Sequence, residues 1–159
     1  MNIKFFRRAR PIFLLVATCA LCACATGARE IRLEPPSLQV ESLRIENGTV
    51  HFRLLVHNRN DHVLYLSEAG VAMRVDGTGL FDAAWRVDLD MGPRGRELVS
   101  LDAAARPAGV DILAAIEQSG RSSVPFELSS EIVIEGQRDA EISQQGFLHP
   151  VPGQPGVFR

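Results

Sequence analysis

Three histidines, at positions 51, 57 and 62, are candidate ligands for a metal ion. His51 and His57 fall on one face of a predicted strand, but six strand residues separate them by about 20 Å, which is too far to share an ion. His57 and His62 could approach each other across a turn, yet no third ligand is evident. The pattern therefore predicts exposed strand histidines and no metal site.

Carboxylates recur at strand spacing in two places. Asp88 and Asp90 would lie on one strand face about 7 Å apart, where they could bind calcium together with loop oxygens. The row Glu127, Glu131 and Glu135 invites the same hypothesis. Neither segment has the ligand spacing of a calcium loop, so we interpret both rows as solvated strand faces.

Motifs for covalent catalysis and for nucleotide binding are missing. The sequence has no Gly-x-Ser-x-Gly motif, and its three cysteines all precede position 25. Gly77-Thr78-Gly79 lacks the third glycine and the following helix of a dinucleotide-binding loop. Arg94 and Arg96 flank a turn and could contact a phosphate or a partner, but two arginines do not define a site. The sequence predicts a protein that is not an enzyme and that has no cofactor.

The start of the chain has the pattern of an export signal. A basic segment at residues 4–10 precedes an apolar run at residues 12–23. The run holds about a dozen residues, fewer than the roughly 20 that a permanent transmembrane helix needs. Arg7-Arg8 also suggests a twin-arginine signal, but the residues around it fit that motif poorly. We predict a signal peptide at residues 1–23.

The predicted signal ends in Leu21-Cys22-Ala23-Cys24, which resembles the lipobox of bacterial lipoproteins. This resemblance implies cleavage before Cys24 and attachment of lipid to that cysteine; the alternative is a plain secretory signal. Because two or more acyl chains anchor a protein stably, the mature protein would be tethered to a membrane without spanning it. Ala25, in place of Asp, resembles sorting to the outer membrane, so we expect the protein on the periplasmic face of that membrane.

The predicted mature chain is acidic. Residues 1–23 hold four of the 17 basic residues and none of the 19 acidic ones, so their removal leaves a net charge of about −6. This negative net charge argues against binding to nucleic acid and against electrostatic binding to anionic lipid. Because no cysteine follows Cys24, the domain has no internal disulfide, and a hydrophobic core must stabilise it.

The clearest strand in the sequence is TVHFRLLVH, at residues 49–57. Its even positions are apolar and its odd positions are mostly polar, with Leu55 as the exception. It ends in Asn58-Arg59-Asn60-Asp61, whose short polar side chains suit a turn and can bond to nearby main chain. We expect Asn58 and Asn60 to stabilise this turn, and the alternative is that they bind a ligand.

Short apolar segments with strand periodicity fill much of the remaining chain. A change of parity at Glu41-Ser42 predicts a bulge or bend between two strand segments. Asn47-Gly48 and Asp76-Gly77 are typical hairpin turns. The predicted segments lie at residues 38–45, 63–66, 71–76, 85–91, 97–101, 124–135 and 140–149.

One predicted helix interrupts the strands. Apolar residues recur at helical spacing between positions 110 and 116, with Pro107 upstream and Gly120 at the expected C-cap. Seven or so short strands with turns between them are typical of an antiparallel β-sandwich. We therefore predict an all-β domain with one short helix at residues 37–149, after a tether at residues 24–36 and before an extended tail at residues 150–159.

The domain resembles the late embryogenesis abundant type 2 family, also described as the water stress and hypersensitive response domain. The resemblance covers about residues 36–149 and rests on Pro36-Ser37-Leu38-Gln39-Val40, on the Asn58-Arg59-Asn60 turn, on the strand and glycine turn at residues 71–77, and on the short helix. The family usually has proline between the two asparagines, where this chain has Arg59. Membership implies an immunoglobulin-like or fibronectin-III-like sandwich, no cofactor, and a role in desiccation or water stress.

Two hypotheses of function follow. The first is a non-enzymatic, lipid-anchored protein of the bacterial envelope that contributes to tolerance of water stress. The second is a binding module, either for an apolar ligand between the sheets or as an accessory subunit of an envelope transport complex. Under both hypotheses the chain reaches the membrane through Cys24, its candidate partner is an envelope protein, and nucleic acid is not a partner.

Overall fold

Eight strands and one helix make up most of residues 33–159, which are the residues that the computed structural model describes. Leu33–Arg159 forms one compact unit. The helix, α1, spans Pro107–Ser119 and lies between the fifth and sixth strands. The strands are β1 (Ser37–Glu46), β2 (Thr49–His57), β3 (Leu64–Val75), β4 (Thr78–Met91), β5 (Arg96–Ala104), β6 (Val124–Ile134), β7 (Ala140–Leu148) and β8 (Val157–Phe158).

The strands form two four-stranded antiparallel sheets. Sheet A has the order β5-β2-β1-β8 and sheet B the order β4-β3-β6-β7. The sheets contact each other face to face, with the rings of Phe52 in sheet A and Phe81 in sheet B centred 4.8 Å apart. The predicted antiparallel β-sandwich with one short helix is therefore confirmed.

The space between the sheets is filled by the apolar residues that the alternating pattern predicts. In β2, the even positions from Val50 to Val56 are buried, whereas Leu55 lies on the outer face. The buried residues form two clusters, one beside α1 and the other at the end that holds the Asn58–Asn60 turn. Burial of one large aliphatic or aromatic side chain contributes about 1.5–3 kcal/mol, so a core of this kind can stabilise a domain without a disulfide.

The two predicted hairpin turns are confirmed. Asn47 and Gly48 have φ angles of 50° and 77°, and Asp76 and Gly77 have φ angles of 47° and 74°. Positive φ at both central residues is the requirement of the type I′ turn, which Asn-Gly and Asp-Gly meet at low cost. The bulge predicted from the parity change is also present, because the pairing of β1 with β2 shifts between Val40 and Ser42.

The helix lies where its sequence signals place it. It begins at Pro107 and ends before Gly120, whose left-handed φ of 67° forms the C-cap. Its buried face contacts β4 at Gly109, where an added Cβ would lie 2.7 Å from both the Gly79 oxygen and the Leu80 Cα. Glycine is therefore what allows the helix backbone to approach β4 so closely.

Two strands are longer than their sequence patterns indicate. The predicted segments 63–66 and 71–76 belong to the single strand β3, and the segment 85–91 is only the second half of β4. The pairing of these strands shifts register between Leu66 and Glu68, beside Asp88 with its φ of 40°. A bulge breaks the alternation of faces inside a continuous strand, so the pattern indicated separate segments.

The final residues do not form an extended tail beyond the domain. The chain turns after residue 150, and β8 pairs with β1 through Leu43 and Phe158. Phe158 is 0% exposed and belongs to the main core cluster. The domain boundary predicted at residue 149 is therefore wrong, because a strand of two residues is too short for periodicity to reveal.

Candidate functional site

Asn58 is a fully buried polar side chain at the turn between β2 and β3. Its Nδ2 donates to the main-chain oxygens of His62 at 2.8 Å and Gly92 at 2.9 Å, and lies 3.3 Å from that of Met91. Its Oδ1 accepts from the main-chain nitrogen of Asn60 at 2.9 Å and from the Asn60 side-chain amide at 3.0 Å. Asn58 thus joins the β2–β3 turn to the β4–β5 turn.

Asn60 joins the same turn to the segment that leads into β1. Its Nδ2 donates to the Glu34 oxygen at 2.9 Å, and its Oδ1 accepts from the Glu34 nitrogen at 2.7 Å. Pro36 is buried and Leu33 packs against the second core cluster. Residues 33–36, which the sequence pattern assigns to the tether, are therefore part of the folded domain.

Both side-chain amides are committed to these bonds. A primary amide has two N–H donors and one oxygen with two lone pairs. Asn58 uses both donors and both lone pairs, and Asn60 uses both donors and one lone pair. A ligand that took the place of these partners would leave buried main-chain groups unpaired, at about 1–3 kcal/mol for each group. The arrangement is that of a structural junction, which is the role that the sequence favours over ligand binding.

An ion pair lies on the exposed side of this junction. The Arg94 guanidinium donates to Asp61 through Nε at 2.8 Å and through Nη2 at 3.1 Å. This hydrogen bond, and then the positive charge, lower the pKa of Asp61, while the carboxylate raises the pKa of Arg94. Arg94 has a left-handed φ of 54°, and its nitrogen donates to the Asn60 oxygen at 2.9 Å.

A small cavity lies between the sheets, where the two core clusters meet. Its volume is about 30 Å³, which is room for one or two water molecules. Ser130 of β6 lines it and is 5% exposed, and the Ser130 hydroxyl has no hydrogen-bond partner among the described residues. Apart from Ser130 the walls are apolar. They include four half-buried side chains at the edge between β4 and β5, namely Val87, Leu89, Val99 and Leu101.

The histidines and acidic rows do not converge on one site. His51 Nδ1 lies 2.7 Å from Asp102 Oδ1 on the outer face of sheet A. Asp88 pairs with Arg86, whose Nε lies 3.2 Å from the carboxylate. Within residues 33–159, no group of three or more His, Cys, Asp or Glu side chains is placed to hold a metal ion.

The predicted lipid site, Cys24, lies outside the described residues, as do the predicted signal peptide and most of the predicted tether. Across residues 33–159, no helix combines the length and the apolar character needed to cross a membrane.

Two contributors to these sites were not among the predicted residues. Ser130 could have been found from the sequence, because it is a polar residue at an inward position of β6, whose other inward positions are apolar. Glu34 could not have been found in this way, because it bonds to Asn60 through its main chain. Almost any residue type could serve at position 34 in this way.

Comparisons with known proteins identify the fold. No family model and no curated protein matches this chain. A solution structure of an Arabidopsis thaliana protein aligns with a TM-score of 0.61 and 13% identity, over 81% of this chain and 91% of that one. A solution structure of a candidate late embryogenesis abundant (LEA) protein aligns with a TM-score of 0.50 and 10% identity, over 93% of this chain and 88% of that one. The fold is LEA-like. At these identities the likeness concerns the LEA-like fold alone.

Proposed function

We propose that this protein is a non-enzymatic lipoprotein of the bacterial cell envelope that is anchored through Cys24 and contributes to survival of water stress. The LEA-like fold is the observation that carries the proposal. The lipobox at Leu21 to Cys24 supports the anchor, and Ala25 supports a location on the periplasmic face of the outer membrane.

The polar groups inside the domain favour a structural role. Asn58 and Asn60 bond to main chain in three separate segments. The His51 and Asp102 side chains contact each other on an exposed sheet face. A protein whose two buried asparagines serve its turns is suited to a role exerted through its surface and its place in the envelope.

The anchor is tested by metabolic labelling with radioactive palmitate. The wild type should incorporate label, Cys24→Ser should not, and Cys22→Ser is the matched control because it changes a neighbouring cysteine and keeps the proposed lipid site. Equal labelling of the wild type and Cys24→Ser would contradict the anchor.

The stress role is tested by drying cells of a deletion strain that carries the wild type, Cys24→Ser or no gene. Survival should be restored by the wild type and less well by Cys24→Ser. Full survival of the strain without the gene would contradict a role in water stress.

A second candidate function is binding of an apolar ligand between the sheets. The unpaired Ser130 hydroxyl in an otherwise apolar cavity favours it, because such a group can orient the polar end of a ligand. The cavity of about 30 Å³ is too small for an organic molecule, so β4 and β5 would have to separate along their half-buried edge.

This alternative predicts saturable binding of a fluorescent fatty acid that Ser130→Leu abolishes by filling the cavity. Absence of saturable binding would exclude it. A related possibility within the same class is an accessory subunit of an envelope transport complex, and crosslinking in intact cells would identify a stoichiometric partner.

A further inference from the structure

Strand register places a set of basic side chains on the outer face of sheet A. Arg44 of β1 lies opposite His51 of β2, and Arg53 of β2 lies between Ser42 and Ser100. At the far end of the sheet, His57 lies opposite Arg96. We name this surface the basic face and define it by Arg44, His51, Arg53, Leu55, His57, Arg96, Leu98 and Arg159.

Arginines outnumber carboxylates on the outer side of sheet A. The carboxylates there are Glu46, which pairs with Arg44 at 3.0 Å, Asp102, which contacts His51 at 2.7 Å, and the exposed Glu41 at the β1 bulge. Three further arginines on this side have no ion-pair partner among residues 33–159, namely Arg53, Arg96 and Arg159. Their guanidinium groups are free to bind an external anion.

The outer face of sheet B has the opposite charge. Its outward strand positions carry two arginines, Arg74 and Arg86, and six carboxylates, namely Glu68, Asp82, Asp90, Glu127, Glu131 and Glu141. Asp88 pairs with Arg86, and Arg106 pairs with Asp82, so carboxylates remain in excess. The mature chain therefore has one positively charged surface although its net charge is negative. A negative net charge does not prevent one face from binding anionic lipid, because exposed charges more than about 10 Å apart are largely screened from each other.

The basic face also presents aliphatic side chains at its middle. Leu55 and Leu98 lie opposite each other on neighbouring strands, on the outer side of the sheet. Leu98 is 43% exposed. Arginines around a pair of leucines match the two layers of a membrane interface, where headgroup phosphates accept from guanidinium groups and apolar side chains enter the acyl boundary.

The length of chain before the domain keeps this face near the membrane that would hold the anchor. Leu33 lies nine positions after Cys24, and nine residues span at most about 30 Å. The Glu34–Asn60 bonds fix the start of the domain at the same end of sheet A as His57 and Arg96. A domain tethered this closely encounters the headgroups at a high effective concentration.

We propose that the basic face docks on anionic phospholipid headgroups of the membrane that carries the Cys24 anchor. This inference rests on the proposed lipoprotein function and adds an orientation to it. Sheet A lies against the lipid, and the acidic outer face of sheet B points away from it.

The test uses the unacylated domain, residues 25–159, so that binding reports the face and not the anchor. Its partition is measured on vesicles of phosphatidylcholine with and without 30% phosphatidylglycerol. The anionic vesicles should bind at least tenfold more tightly, and the advantage should shrink as salt is raised.

Two double variants with equal net charge decide whether the face matters. Arg53→Gln with Arg96→Gln should weaken binding to anionic vesicles by about 10- to 30-fold, since each basic residue at an anionic surface contributes about fivefold. Arg74→Gln with Arg86→Gln, on the opposite face, should leave binding within about twofold of the wild type. All four arginines are exposed, so equal melting temperatures provide the check that both variants are folded.

Three outcomes would overturn the proposal. They are equal binding of the wild type to neutral and anionic vesicles, equal loss in both double variants, and self-association that the Arg53/Arg96 variant abolishes without any vesicle binding. The last result would assign the face to the acidic surface of a second copy. Failure of the anchor would be seen separately, as absent palmitate labelling of the full chain.

Discussion

The side-chain oxygen of Asn58 accepts two hydrogen bonds from Asn60, one from its main-chain nitrogen at 2.9 Å and one from its side-chain amide at 3.0 Å. The spacing of two residues is what allows both bonds, since the turn brings the second asparagine back over the first. Each side chain then has donors left for a different part of the chain, so the pair unites segments that are distant in sequence.

Removal of this pair should destabilise the domain. Asn58→Ala leaves several buried main-chain groups unpaired, at about 1–3 kcal/mol each, so we expect a loss of about 3–5 kcal/mol and a melting temperature lower by roughly 10–20 °C. Asn60→Ala should cost less, because Asn60 is 8% exposed and bonds to one outside residue, Glu34. Thermal unfolding followed by circular dichroism measures both. Unchanged melting with a lost drying phenotype would make the turn a binding site.

Arg59→Pro should be tolerated. The Arg59 side chain is exposed and pairs with Glu34 at 3.4 Å, and its main-chain nitrogen makes no hydrogen bond among the described residues. Proline would restrict the unfolded chain and stabilise by about 0.4–1 kcal/mol, a rise of about 1–4 °C in melting temperature. Arg59→Ala is the control for the lost ion pair. A large fall in melting temperature would show that the turn has a backbone conformation that proline cannot adopt.

The Asp61–Arg94 ion pair should make stability depend on pH. Because the pKa of Asp61 is lower in the folded than in the unfolded state, its contribution is fully present above the unfolded value, near pH 4. It is lost as pH falls through the folded value. Asp61→Asn should therefore melt slightly below the wild type at pH 7 and at the same temperature at low pH. Asp139→Asn, a control at an exposed carboxylate, should show no such convergence.

Gly109→Ala should destabilise the contact of α1 with β4, although alanine is the better helix former by about 1 kcal/mol. The new methyl group would lie 2.7 Å from backbone atoms of Gly79 and Leu80, which cannot rotate away. We expect a net loss of about 1–3 kcal/mol, measured by chemical denaturation. Gly92→Ala is the matched control, since its Cβ would meet nothing within 4 Å. Equal stability of the two variants would contradict this account of the packing.

Ser130→Val should stabilise the domain. It removes a buried hydroxyl that has no partner in the described structure and adds apolar volume beside the cavity. We expect a gain of about 1–2 kcal/mol, seen as a higher midpoint of chemical denaturation. Ser129→Val, at the neighbouring exposed position, controls for strand propensity. Destabilisation by Ser130→Val would indicate that the hydroxyl bonds to a buried water molecule.

Local chemistry explains which parts of the fold the sequence reveals. The turn at Asn47-Gly48 and the helix end at Gly120 need positive φ angles, which asparagine and glycine adopt readily. The residue types therefore predict the turn and the helix end. No residue type predicts the bulge at Asp88. The bulge interrupts the alternating pattern, so one long strand has the pattern of separate short ones.

Long-range contacts explain most of the remainder. Asn58 and Asn60 are recognisable as turn residues, but their partners Gly92 and Glu34 lie 34 and 26 residues away and bond through the main chain. The side chains of Gly92 and Glu34 take no part in these bonds, so their residue types do not predict the contacts. The basic face likewise follows from register, because residues 44, 53 and 96 share one face of the sheet only once β1, β2 and β5 are aligned.

The pairing of β8 with β1 sets an order for synthesis and folding. Phe158 fills the core beside Leu43, so the main cluster stays incomplete until residue 158 has left the ribosome. A chain still being made exposes the apolar faces of both sheets at that place and remains open to chaperones. The main core cluster is therefore completed only when residue 158 is available to pair with β1.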